Sequence, residues 1–163
     1  MRISKSRTFG SLAVAAACWC LSGATAVAQD TIVGVWWSPK KDAKIEITEK
    51  GGVYTGRIIA GVDRLDAKNA DRRLRGRHLV GATLMKDMEA DGEKWSGGTF
   101  YDPDGGTTYK CKMWLDGPDK LMMRGFIGVS LVGRTETCVK VAGPNPRSPQ
   151  PGEPAMTYLE PAR

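Results

Sequence analysis

The chain has 163 residues, 41% of them hydrophobic and 26% charged, with a formal net charge of +6. Arg2, Lys5 and Arg7 stand in an amino-terminal leader that has no acidic residue, so the remaining chain carries only +3, with 21 basic against 18 acidic residues. A balance this modest, with interspersed signs, excludes nucleic-acid binding as the expected activity.

The leader reads as a secretory signal peptide over residues 1–28. A basic start is followed by a mostly apolar run, Phe9 to Leu21, and by the small-x-small cleavage site Ala26-Val27-Ala28. The apolar run falls short of the roughly 20 residues a membrane span needs. Acylation at Cys18, after Ala15-Ala16-Ala17, is an alternative, but it would cut the apolar run to about half. The expected location is periplasmic or secreted, with cleavage near Ala28-Gln29 and no stable membrane span afterwards. The rest is long enough for one domain with a core, and not for two.

Eight strand-like runs follow: Val33–Ser38, Ala43–Glu49, Val53–Ala60, Leu79–Lys86, Lys94–Asp102, Thr107–Leu115, Lys120–Gly128 and Leu131–Val141. Tight turns separate them. The clearest is Asp102-Pro103-Asp104-Gly105-Gly106, in which the Asp side chains can cap their own backbone and a glycine accepts positive φ. Only Gly61–Arg77 is longer, and its Ala67–Leu74 part suits a short helical turn. Short strands at near-regular spacing predict an all-β, eight-stranded antiparallel up-and-down barrel over residues 29–141. Residues 142–163 contain six prolines and little apolar content, which predicts an extended, disordered tail.

Of the four cysteines, Cys111 and Cys138 follow the leader. Parity groups Cys111 with Tyr109, Met113 and Leu115, an inward set, and Cys138 with Arg134, Glu136 and Lys140, read as outward. That arrangement argues against a disulfide, although an oxidising compartment favours one. The basic run Arg72–His78 beside Asp63, Asp66 and Asp71 reads as a solvated loop, with contact to an anionic ligand or lipid headgroup as the alternative.

No catalytic or metal constellation stands out. His78 is the single histidine, and neither a G-x-S-x-G nor an H-E-x-x-H pattern occurs. The expectation is a non-enzymatic protein with no metal and no cofactor. Period-2 parity places Trp36, Ile45, Ile47, Tyr54, Ile58, Trp95, Tyr101, Tyr109, Met113, Met123 and Ile127 inside. They either fill the interior or line a pocket, and the sequence leaves both open. Tyr54, Tyr101, Tyr109, Met113, Met123 and Arg124 are the candidate ligand-binding residues. Trp37 and Trp114 point outward and could form an exposed apolar patch.

Gly34-x-Trp36, Arg72–His78 followed by Leu79-Val80-Gly81-x-x-Leu84, the block Trp95–Lys112 and Arg124–Thr135 together resemble the secreted bacterial domain-of-unknown-function family 2147. That resemblance implies a periplasmic β-barrel and no particular activity. Gly34-x-Trp36 with Arg134 on the last strand is also similar to lipocalin-like (calycin) barrels. It implies a structural pair in which Arg134 packs across the ring of Trp36 at the closed end. The expected function is a monomeric periplasmic binding protein for a small apolar or amphipathic ligand, such as a fatty acid, held in the barrel. The alternative is a structural or interaction protein of the cell envelope with a filled barrel.

Overall fold

The computed structural model describes residues 31–160; the expected signal peptide lies outside them. Its strands are β1 (Gly34–Trp37), β2 (Ala43–Lys50), β3 (Val53–Gly61), β4 (Thr83–Asp91), β5 (Lys94–Ser96), β6 (Thr99–Asp102), β7 (Thr107–Leu115), β8 (Lys120–Phe126), β9 (Gly133–Lys140) and β10 (Thr157–Tyr158). Consecutive strands pair antiparallel from β1 to β4. β4 then pairs with both β5 and β6, and these pair in turn with β7. The sheet continues through β8 and β9 and closes where Trp36 and Trp37 of β1 meet Lys140 and Val139 of β9. β5 and β6 share one position in the wall, so the molecule is a closed eight-stranded antiparallel barrel, and closure leaves no long unpaired edge.

The expected run Lys94–Asp102 is thus two strands. A Cβ on Gly98 would lie 2.1 Å from the Lys86 carbonyl oxygen. Only a residue without a side chain lets the two backbones pass this closely. Opposite it, Asp87 bulges with φ 56. The predicted helical turn is a 3₁₀ turn, Arg72–Leu74, with the Asp71 side chain accepting from Arg73 N–H. In the turn after β6, Asp104 N–H donates to Asp102 Oδ1 at 2.9 Å and Gly106 has φ +69, as the turn chemistry requires.

The interior is packed. Trp36 is 1% exposed and sits among Ile32, Met88, Met113, Leu121 and Cys138, its Nε1 donating to the Ile32 carbonyl at 2.8 Å. Burying each large side chain of this kind is worth about 1.5–3 kcal/mol. A second cluster of Ala43, Ile45, Ile58, Leu79 and Leu84 fills the end covered by the 62–82 segment. That end also carries the connections 38–42, 103–106 and 127–132. The other end carries 51–52, 92–93 and 116–119.

Several placements differ from the sequence reading. Cys138 does share its face with Arg134, Glu136 and Lys140, but that face is the inner one, and Cys138 is buried. Arg134 and Lys140 on it lie near the two barrel ends, where an inward position still reaches water, and Glu136, in mid-strand, pairs with Arg134. Cys111 and Cys138 are both free. Ile127, expected inside, is 70% exposed in the loop beyond β8. Arg134 does not touch Trp36: it is exposed and pairs with Glu136 at 2.5 Å. The cation over the Trp36 ring is Lys140, 5.5 Å from its centroid.

The tail also departs from the expectation of disorder up to residue 160. β10 pairs with β3, Thr157 opposite Gly61 and Tyr158 opposite Ala60, where β4 no longer covers that edge. Leu159, Val35, Ile59, Val141 and Trp37 form a small apolar cluster beneath it. Trp37 is therefore covered by the tail and is not part of an exposed patch. Prolines limit helix and sheet, but they do not stop a short segment from docking on a prepared surface.

Candidate functional site: a cleft outside the barrel wall

Register decides which face of the wall each side chain occupies. Phe100 opposite Met85 and Tyr109 points inward, so Lys86, Thr99, Tyr101 and Thr108 point outward. These outward residues, with Arg57 and Thr83, floor an open cleft of about 940 Å³. Its other wall comes from the 69–82 segment, including Asn69, Leu74, Arg77, His78 and Val80, with Leu159 of the tail at its margin. The cleft thus lies between the sheet and the long connection, not in the lumen.

One buried carboxylate holds that connection in place. Asp66 accepts hydrogen bonds from Tyr101 Oη, from Asn69 Nδ2 at 2.7 Å and from Arg77 Nε at 2.9 Å. Arg77 also lies 6.0 Å from the Tyr101 ring centroid. Burial pushes the Asp66 carboxyl up, and these hydrogen bonds outweigh it, holding the group below the usual carboxylate range. The Tyr101 hydroxyl is pushed up to about 12 by burial and by its bond to Asp66. A second anchor is Asp104, bonded to Lys40 and, at 2.5 Å, to Arg64 Nη1; hydrogen bonds from Lys40 and Arg64 lower its carboxyl. Lys68 Nζ donates to the Asp104 carbonyl at 2.7 Å.

The electrostatics of the cleft are one-sided. Among the described residues, no Asp or Glu lines it. Arg57 donates Nε to the Gly81 carbonyl at 2.8 Å and has no carboxylate partner among the described residues. Lys86 is exposed and has none there either. Arg77 is engaged with Asp66, and His78 with Asp63 at 2.7 Å. Leu74, Val80, Ala82, Leu84 and Leu159 supply apolar surface beside the basic groups. Chemically the cleft suits a ligand with an anionic head and an apolar body.

Few of the sequence-predicted site residues are here. Tyr101 is, but its hydroxyl is committed to Asp66. Met113 and Met123 are core, and Tyr54 packs edge-on against Trp95 at 6.0 Å. Tyr109 faces inward beside Gly125. Arg124 faces outward and binds the next loop, donating to the Ser130 and Leu131 carbonyls and to Thr135 Oγ1. Arg57 and Lys86 were missed, since a lone charge in a strand signals only a surface position. The Arg72–His78 run was visible in the sequence, and part of it does wall the cleft. Among the described residues, no three His, Cys, Asp or Glu side chains gather as metal ligands, and no helix is long and apolar enough to cross a membrane.

The model of the family described as "Uncharacterized protein conserved in bacteria (DUF2147)" matches residues 34–140. The chain belongs to this family. Those residues run from the first barrel strand to the last, so the DUF2147 match coincides with the closed barrel and leaves out the tail. Among solved structures, the chain is similar to protein HP1028 from Helicobacter pylori, described as belonging to the lipocalin family. Identity is 18% and the TM-score 0.61, over 69% of this chain and 84% of that one. The likeness establishes a lipocalin-like barrel. A search of the curated proteins finds no match.

Proposed function

We propose that this DUF2147 protein is a non-enzymatic, monomeric periplasmic binding protein for a small amphipathic ligand with an anionic head, such as a fatty acid. The observation that carries the reading is the cleft itself, in which Arg57 and Lys86 stand beside apolar surface without an ion-pair partner among the described residues, and whose described lining holds no carboxylate. Its lipocalin-like barrel supports small-ligand binding at the level of the fold. The ligand site moves from the lumen, as first expected, to the outer wall, because Met113, Met123, Trp36 and Leu121 pack against one another inside. Arg57 and Lys86 would hold the anionic head, Thr99 and Thr108 would add hydroxyl donors, and Leu74, Val80 and Leu159 would cover the chain. The leader, read from its sequence as a signal peptide, supports the periplasmic location.

A second reading, an interaction protein of the cell envelope, is favoured by the packed interior. Native mass spectrometry and thermal shift separate the two. Laurate should form a one-to-one adduct and raise Tm, dodecanol should do so far less, and Arg57→Ala with Lys86→Ala should abolish the laurate effect. An unliganded mass with no Tm shift for any such amphiphile would sink the binding reading.

A further inference from the structure

The β8–β9 connection exposes more apolar surface than any other loop of the described chain. Ile127 is 70% exposed, Val129 67%, Leu131 88% and Val132 74%. Single exposed aliphatic residues are ordinary, but four within six positions at one hairpin tip form a patch that water disfavours. The loop is also held open. Arg124 donates Nε to the Ser130 carbonyl at 2.7 Å and Nη2 to the Leu131 carbonyl at 3.0 Å, and Val132 N–H donates to the Val129 carbonyl at 3.2 Å. The backbone carbonyls are satisfied from below, and the apolar side chains are left pointing away from the barrel.

Charge identifies the occupant. The four connections at this end of the barrel carry eight basic and five acidic residues; the three at the opposite end carry three acidic and no basic ones. Lys110, opposite Phe126, and Arg134, opposite Gly125 and paired with Glu136, flank the loop at its base. A projecting apolar tip with cations set behind it matches an interface whose interior is hydrocarbon and whose surface is negative. A protein partner would have to offer a complementary hollow, for which nothing in the charge pattern argues. We propose that the β8–β9 loop docks the protein peripherally on an anionic lipid bilayer, inserting Ile127, Val129, Leu131 and Val132 among the acyl chains. This inference is independent of whether the cleft takes a ligand.

The test is flotation of the purified protein with phosphatidylethanolamine:phosphatidylglycerol (3:1) vesicles and, in parallel, with phosphatidylcholine vesicles. The expected result is binding to the anionic vesicles that is at least tenfold stronger than to the neutral ones. Leu131→Asp with Val132→Asp should reduce it at least tenfold without changing Tm, since both side chains are exposed. Failure of the wild type to float, equal binding to both vesicle types, or undiminished binding of the double variant would each overturn the proposal. So would a concentration-dependent dimer that the double variant abolishes while vesicle binding is absent, because the patch would then be a protein contact.

Discussion

Lys44 and Glu153, 109 positions apart, form an ion pair of 2.6 Å in which the lysine side chain is wholly buried. Lys44 Nζ also donates to the Ser148 carbonyl at 2.8 Å and lies 5.2 Å from the ring centroids of both Trp37 and Tyr158. The tail thereby closes a cage around a cation that the outer wall presents. Removing the anion strands the charge. Glu153→Ala should cost about 3 kcal/mol, the low end for breaking a buried pair, because the tail can lift and let Lys44 reach water. Urea unfolding measures the loss, and proteolysis after residue 142 should accelerate in the variant. An unchanged midpoint would mean that the tail contributes nothing to stability.

Acid should weaken the fold through three carboxylates. Asp66 and Glu153 are raised by burial but lowered more by their donors, and Asp104 is lowered by Lys40 and Arg64, so all three lie below their ordinary values of 3.8 or 4.5. A depressed folded-state pKa means that the unfolded chain binds more protons in that window. Stability is then complete above about pH 5 and lost as pH falls through 4 and below. Urea midpoints between pH 7 and pH 3 should show this loss, and Asp66→Asn should flatten it. A midpoint unchanged down to pH 3 would contradict the hydrogen-bond network.

Cys111 and Cys138 should be inert in the native protein. Burial raises both thiols from 9.0 to about 12, and only the thiolate reacts. With iodoacetamide at pH 8, peptide mapping should find neither modified until denaturant is added, and both modified thereafter. Rapid native labelling would show that the barrel opens locally between β7 and β9.

The two candidate cations for Trp36 make opposite predictions. Lys140→Ala should destabilise by about 0.5–1 kcal/mol through the lost cation–π contact. Arg134→Ala, at an exposed position, should stay within about 0.5 kcal/mol of wild type. Equal effects would mean that the ring contact has no energetic weight.

Gly98→Ala should be poorly tolerated, because its Cβ would meet the Lys86 carbonyl at 2.1 Å and the β4 backbone would have to move. Overpacking of this order costs about 1–3 kcal/mol. Gly92→Ala is less informative as a control, since its φ of +64 is itself strained. Gly76→Ala, with open space around it, should be nearly silent by thermal denaturation.

Period-2 alternation and turn chemistry determined the all-β class, most strand positions and the Asp102–Gly106 hairpin, because these are local properties of the backbone and its neighbours. The Trp36 anchor was also legible, through Gly34-x-Trp36. What the sequence could not supply was which face of β9 points inward. Arg134, Glu136 and Lys140 marked one side as polar, yet Arg134 and Lys140 lie near the barrel ends, where an inward side chain still finds water, Glu136 pairs with Arg134, and Cys138 on the same face is buried. The partner of Trp36 was decided by the closing register, Trp36 opposite Lys140. Arg134 lies six residues along the same strand, about 20 Å away at strand rise. The cleft and the docked tail likewise exist only once the 62–82 segment and β10 fold back on the wall, joining residues that sequence separates by up to about a hundred positions.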